Sequence, residues 1–264
     1  MNKKTFELKE KMLQLEDISD RLEVMKDWYN GETCYIVSAG PSLKEIDINY
    51  LNSKLKDKLV ISIKQAFNLL KGLSDFHVLN FTNFEPYDYT DSKDTITVWE
   101  VFEQYHPQMI LENNFNCELM LPCVGNHESD LVKRINESQA GMESFDDWTL
   151  DKTMNRMYGP GIMYEIVIHL ALHLGVKEII TLGWDIGDVS KFKQDNLYED
   201  VWQDHYYEGS DNIQYAKTPM NYYEVNTVVK SVKYLSEWLK TKGVDFKIIS
   251  DRNPADKSIE RVEL

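Results

Sequence analysis

Cys34-Tyr35-Ile36-Val37, running directly into Ser38-Ala39-Gly40-Pro41-Ser42, constrains this chain more than any other stretch. An uncharged, apolar and β-branched run reads as a buried strand, and the small residues after it as a turn. Leu43 to Ile48 then begins a short helix. A strand that feeds a glycine turn and a helix N-terminus offers backbone N–H groups and a positive dipole end, which suit phosphate or carboxylate oxygens without a basic side chain. Gly40 allows close approach of the backbone to a ligand, and Pro41 sets φ near about −65°, right for a first helical position. An ordinary strand-to-helix turn capped by Ser42 accounts for the same residues, so the turn alone leaves anion binding open.

Composition narrows the partners. The formal net charge of −15 argues against a general nucleic-acid binder, whose affinity comes from neutralising phosphates. It also disfavours adsorption to an anionic membrane face. A small anionic ligand stays admissible, because a local pocket can oppose the global charge. With 42% hydrophobic and 12% aromatic residues, the chain can build a sizeable core. No signal-peptide pattern opens the chain, and the most apolar window, Gly161 to Val176, contains Glu165, His169 and His173 and is too short for a bilayer. Cys34, Cys117 and Cys123 form no Cys-x-x-Cys pair, so reduced thiols in a cytoplasmic protein are expected.

The pattern along the chain predicts an α/β fold: a mostly parallel sheet flanked by helices. Residues 1–30 read as one N-terminal amphipathic helix, with Leu8, Met12, Leu15, Leu22 and Met25 on its apolar stripe. That stripe packs on the main domain by default, with a second copy of the chain as the other option. Residues 31–264 read as a single domain. Its strands are predicted at Cys34–Val37, Leu59–Ile63, Phe76–Asn80, Val176–Leu182 and Val244–Ile249, with weaker ones near Thr95–Val101 and Met109–Leu111. Ile162 to Leu174 and Tyr222 to Lys242 read as helices ended by Gly175 and Gly243. The region of about 83–152 is an irregular, acidic and aromatic insert. The polar segment of about 186–216 is long enough to be a lid or binding loop.

In open α/β sheets ligands sit at the carboxyl ends of strands. Those ends here are Ser38–Ser42, Lys64-Gln65, Asn80, Gly183–Asp185 and Ser250–Asn253, all small or hydrogen-bonding residues. Several such ends together point to a ligand cleft more strongly than any one of them. Asp185 follows a strand and a glycine, a position suited to a ribose hydroxyl or a metal. Arg156, just before the Gly159–Gly161 turn, can pair with a phosphate or carboxylate. His205, in Asp204-His205-Tyr206-Tyr207 of the long polar segment, is a general-base candidate. Tyr198 and Tyr206 can donate hydroxyls to phosphate oxygens. A surface histidine and packing tyrosines are the plainer readings of those same residues. His169 and His173 share a helix face, but their apolar neighbours make that face a packing surface rather than a metal site. The chain has no P-loop, no G-x-G-x-x-G, no G-x-S-x-G elbow and no His-Glu-x-x-His.

Four segments, taken in order, carry a resemblance. Ile36–Asp47, IVSAGPSLKEID, resembles the donor-binding start of bacterial sialyltransferases of glycosyltransferase family 42. Arg156–Asp185, with its arginine, glycine turn, helix and strand ending in Gly-Trp-Asp, resembles a later block of that family and of the related motility-accessory-factor proteins. Asp204-His205-Tyr206 resembles the segment holding the family's catalytic histidine, and Ser250–Pro254 its motif after the last strand. Residues 1–30 and 90–150 lie outside the resemblance. It implies a Rossmann-like fold and metal-independent transfer of a nonulosonic, sialic-acid-type sugar from a CMP-activated donor to a glycan or protein hydroxyl. His205 would be the base that deprotonates the acceptor. Gly40, Pro41, Ser42, Gln65, Asn80, Gly161, Asp185, Ser250 and Asn253 would line the donor site. Arg156 would meet an anionic group, and Tyr198 and Tyr206 the leaving phosphate. No obligatory cofactor is implied. Ala39 and Lys64 stand where the sialyltransferases carry asparagines. Archaeal hydroxymethylpterin pyrophosphokinases share the glycine-proline-serine start and imply ATP-dependent pyrophosphoryl transfer instead. A non-catalytic nucleotide-binding module is the third expectation.

Overall fold

A computed structural model describes residues 2–70, 72–80, 87–102, 117–124, 145, 156–157, 161–185, 201–204, 217–220, 222–250, 253 and 255–264. Among the described residues, nine strands form one sheet in the order β11-β10-β7-β1-β2-β3-β4-β5-β6. They are β1 (Thr33–Val37), β2 (Leu59–Ile63), β3 (Phe76–Asn80), β4 (Ile96–Phe102), β5 (Leu119–Val124), β6 (Arg156–Met157), β7 (Glu178–Leu182), β10 (Asp245–Ile249) and β11 (Glu260–Arg261). Every pairing in this sheet is parallel. The remaining two, β8 (Val201–Asp204) and β9 (Lys217–Met220), pair antiparallel as a separate ribbon. The expected α/β architecture with a parallel sheet, of Rossmann-like type, is therefore present.

Continuous apolar runs become strands here because a parallel sheet is covered on both faces. All five residues of β2 are buried. Alternate side chains enter two cores. Cys34, Ile36, Leu59, Ile61, Phe76, Val78, Ile96 and Val98 face a large helical layer. Val37, Val60, Ile180 and Leu182 face a smaller one that includes Leu51 and Leu55 of α3 (Ile48–Leu55).

The large layer contains α1 (Lys3–Met12), α2 (Ile18–Met25), α4 (Ile168–His173) and α5 (Tyr222–Thr241). The single N-terminal helix expected from the sequence is thus two. Asp17 caps α2 by accepting from the backbone N–H of Ser19 at 2.7 Å, which ends the helical run and restarts it in a new direction. Leu8, Met12, Met25 and Tyr29 are fully buried on the sheet. At roughly 1.5–3 kcal/mol for each fully buried large apolar side chain, the segment is an integral part of the core.

The predicted helix at 162–174 opens as a π-helical turn, Met163–Val167, before it becomes α4. His173 Nε2 bonds the Leu22 carbonyl at 2.7 Å, and His169 packs against Trp238 at 5.6 Å. Both histidines bind helices together. No helix among the described residues is long and apolar enough to cross a membrane.

Candidate functional site

The sheet order reverses at β1. The chain moves from β1 outward through β2, β3, β4, β5 and β6, and then returns to place β7 on the other side of β1. The crevice beyond the carboxyl ends of β1 and β7 is the switch point at which such sheets bind ligands. Three sequence-predicted segments converge there.

Backbone bonds continue past the strands: Ser38 N–H donates to the Leu182 carbonyl and Gly40 N–H to the Gly183 carbonyl, both at 2.8 Å. Ser42 N–H then donates to Asp185 Oδ2 at 2.7 Å. Ser250, just after β10, donates its hydroxyl to Asp185 Oδ1 at 2.8 Å. Asn253 donates its side-chain amide to the Trp184 carbonyl and accepts from Ala255 N–H at 2.9 Å. Asp185 is 5% exposed, and its two oxygens bind one donor from each flanking strand end. Charge-assisted bonds of this kind are the stronger class of hydrogen bond.

This geometry changes the role of the glycine turn. The N–H groups of Gly40 and Ser42 are bonded inside the protein, so they are not open donors for an external anion. Pro41–Glu45 is a 3₁₀ turn with Gly40 at its N-cap, not the start of a regular helix. Gly40 is needed because a Cβ there would collide with the Gly183 carbonyl and lie 2.6 Å from Asp185 Oδ2. Gly183 has φ +63°, and a Cβ there would strike the Ser38 carbonyl and Leu43. The two glycines let the β1 and β7 loops touch each other. One polar atom is left over: Ser42 Oγ is buried and has no hydrogen-bond partner among the described residues.

A cavity of about 550 Å³ opens beside Ser250, between the 3₁₀ turn, α3 and the chain after β11. Tyr50, Asp47, Ile249 and Arg261 line it. Its volume is within the range of small-molecule sites. Arg261 is anchored to backbone carbonyls, bonding Ile259 at 2.7 Å and Ala255 at 3.1 Å.

The other predicted residues are spread along the sheet, and Arg156, in the edge strand β6, lies five strands from β1 and is not brought to this crevice. Gln65 is buried in the 3₁₀ turn after β2. Asn80 ends β3 opposite Glu100 of β4, and Arg156 lies in β6 opposite Cys123. Gly161, at φ +93°, accepts the Tyr164 N–H at 3.0 Å, and the Tyr164 ring meets Trp184 at 6.1 Å. That ring contact ties the start of the α4 segment to the end of β7. Tyr198, His205 and Tyr206 lie outside the described residues, as does the strand expected near Met109–Leu111.

Two groups escaped the sequence reading. Glu100 is a fully buried carboxylate within β4; an acid inside an otherwise apolar run is the signal that marks it, because such a group is costly to bury. His77, fully buried in β3, bonds Tyr89 Oη at 2.7 Å and the Lys64 carbonyl at 3.0 Å. Burial pushes its pKa down to about 3, against the opposing pull of the Lys64 bond, so the ring is neutral near pH 7. Burial also raises the Cys34 thiol and takes Cys117 up to about 12, leaving both as protonated packing groups. Among the described residues no cluster of His, Cys, Asp or Glu could hold a metal ion.

No protein-family model matches the chain, and no curated protein matches it.

Proposed function

We propose that this protein is a nucleotide-sugar-dependent glycosyltransferase, using a CMP-activated nonulosonic-type donor and a hydroxyl acceptor. The observation that carries the reading is the convergence of Ser38–Ser42, Gly183–Asp185, Ser250 and Asn253 at the switch point of a parallel sheet, beside a cavity of about 550 Å³. They belong to three of the four segments on which the sequence resemblance rests; the fourth, Asp204-His205-Tyr206, is not part of this convergence. Asp185 sets the spacing of the three strand ends, and Ser42 Oγ is a buried hydroxyl without a partner among the described residues. His205 is the base in this reading, accepting the acceptor's proton as the new glycosidic bond forms and CMP departs. Nothing in that scheme calls for a metal.

The test is a thermal-shift panel of CMP, CDP, UDP, ADP and ATP, each with and without Mg²⁺. A ligand at about 100 times its Kd adds roughly 2.7 kcal/mol of stability, so CMP should raise the melting temperature by several degrees. Stabilisation confined to ATP with Mg²⁺ would reject this reading in favour of pyrophosphoryl transfer. With a competent donor, His205→Ala should lower turnover by about 10²–10⁴-fold at unchanged melting temperature. Near-normal turnover in that variant removes His205 from the reaction.

A further inference from the structure

Among the described residues, three that are not glycine adopt positive φ: Asp27, Asp57 and Lys64. Aspartate visits the left-handed region readily, because its short polar side chain bonds locally. Lysine has no such advantage, and Lys64 at φ +49° is the first residue after β2. A strained residue at a strand's carboxyl end persists only where its surroundings over-determine it.

Those surroundings are built around His77. The Lys64 carbonyl can only accept, so Nε2 of the neutral ring carries the proton and donates to it at 3.0 Å. Nδ1 is then the acceptor of the Tyr89 hydroxyl at 2.7 Å. Phe67 stacks on the imidazole at 4.4 Å with an 11° interplanar angle, and Tyr87 meets it edge-on at 4.6 Å. A buried histidine with its tautomer locked, stacked and flanked by aromatics, holds one carbonyl, that of a strained lysine.

The location gives this clamp a purpose. β2 pairs directly with β1, with Val37 opposite Ser62, so Lys64 stands beside the crevice that Ser38–Ser42 enters. Among the described residues that directly follow β1, β2, β7 and β10 (Ser38–Gly40, Lys64-Gln65, Gly183–Asp185 and Ser250), Lys64 carries the positive charge. In a chain of net charge −15, an anionic ligand at this edge needs a local cation. A lysine ammonium is a compact point charge that serves phosphate oxygens, without the planar fork that selects carboxylates.

We infer that Lys64 is a binding residue for a phosphate group of the ligand, held in its strained conformation by the His77–Tyr89 clamp. This rests on the reading of the carboxyl edge as a nucleotide site, and the test separates the two. Inorganic pyrophosphate and CMP are titrated against wild type, Lys64→Gln and Lys64→Arg by calorimetry, with melting temperatures recorded for each and for Lys64→Gly. Pyrophosphate should bind wild type and Lys64→Arg, and bind Lys64→Gln at least about tenfold more weakly, the loss expected when one charged hydrogen bond is removed. Without ligand, Lys64→Gly should melt a few degrees above wild type, because glycine relieves the strain. CMP binding that survives Lys64→Gln unchanged overturns the role of Lys64 and leaves the nucleotide reading standing. Pyrophosphate bound through Lys64 with no affinity for CMP keeps the phosphate site and overturns the CMP donor. Wild type binding neither ligand overturns both, and a Lys64→Gly protein that melts below wild type overturns the strain.

Discussion

Two buried aspartates at opposite ends of the sheet have nearly the same ligation and different work. Asp75, just before β3, accepts Val60 N–H at 2.8 Å and the Thr5 hydroxyl. Asp185, just after β7, accepts Ser42 N–H at 2.7 Å and the Ser250 hydroxyl at 2.8 Å. They are 4% and 5% exposed. Each therefore binds one backbone donor and one hydroxyl out of water. The difference lies in what the hydroxyl belongs to. Thr5 is in α1 and also bonds Tyr29 Oη at 2.7 Å, so Asp75 fastens a helix under the amino end of the sheet. Ser250 ends a strand, so Asp185 fastens three strand ends together where ligands bind. One aspartate belongs to the scaffold and the other to the candidate site.

Substitutions can break this contrast. Gly40→Ala should have the largest effect, because its Cβ has no room between the Gly183 carbonyl and Asp185. Forcing backbone apart at a site without slack costs about 3–5 kcal/mol, readable as a collapse of the urea midpoint. An alanine variant of normal stability would mean the two loops are free to separate. Asp185→Ala should follow, at about 2–4 kcal/mol, since it strands a buried N–H and a hydroxyl, and it should weaken CMP binding as well as stability. Asp75→Ala should lower stability without touching ligand affinity. Equal effects of both substitutions on affinity would erase the distinction.

The third measurement is a pH profile. Burial raises the Asp75 pKa from 3.8 to about 7, although its bonds to Thr5 and Val60 oppose the rise. A raised carboxyl pKa means the folded state binds the proton more tightly than the unfolded state. The contribution is therefore fully present below about pH 4 and is lost as pH rises through about 7. Wild type should thus lose more stability than Asp75→Asn between pH 5 and pH 8, by an amount of order 1–3 kcal/mol. Parallel profiles for the two proteins would contradict the assignment. Ser250→Ala is the mildest change. It removes one donor while Asp185 keeps Ser42, and about 1 kcal/mol is expected from the denaturation midpoint.

How much of this was legible depends on whether the cause is local. The five strongest strands were readable because burial on both faces turns them into uninterrupted apolar runs. β5 was not, since Pro122 lies inside it and proline argues against a strand with neighbours on both sides. β6 and β11 are two residues long, below the length at which any period can be seen. Asp185 could be picked out by its position after a strand and glycine, but its partner Ser42 is 143 residues away. Asp75 gave no local signal, because Thr5 is 70 residues distant. That the turn's N–H groups are already bonded could not be read locally for the same reason: Gly183 and Asp185, which accept from Gly40 and Ser42, come from another part of the chain. Lys64 was visible as a strand end, but its backbone strain has no sequence signature.

The position of β7 beside β1 also sets the order of events during synthesis. β1 emerges early, yet the strand that completes its second edge is translated about 140 residues later. At roughly 5–20 residues per second, that leaves one edge of β1 unpaired for about 7–30 s on the ribosome. The crevice cannot exist until that interval ends, so every nascent molecule passes through a stage with an exposed apolar strand edge open to chaperones or to its neighbours on the same message.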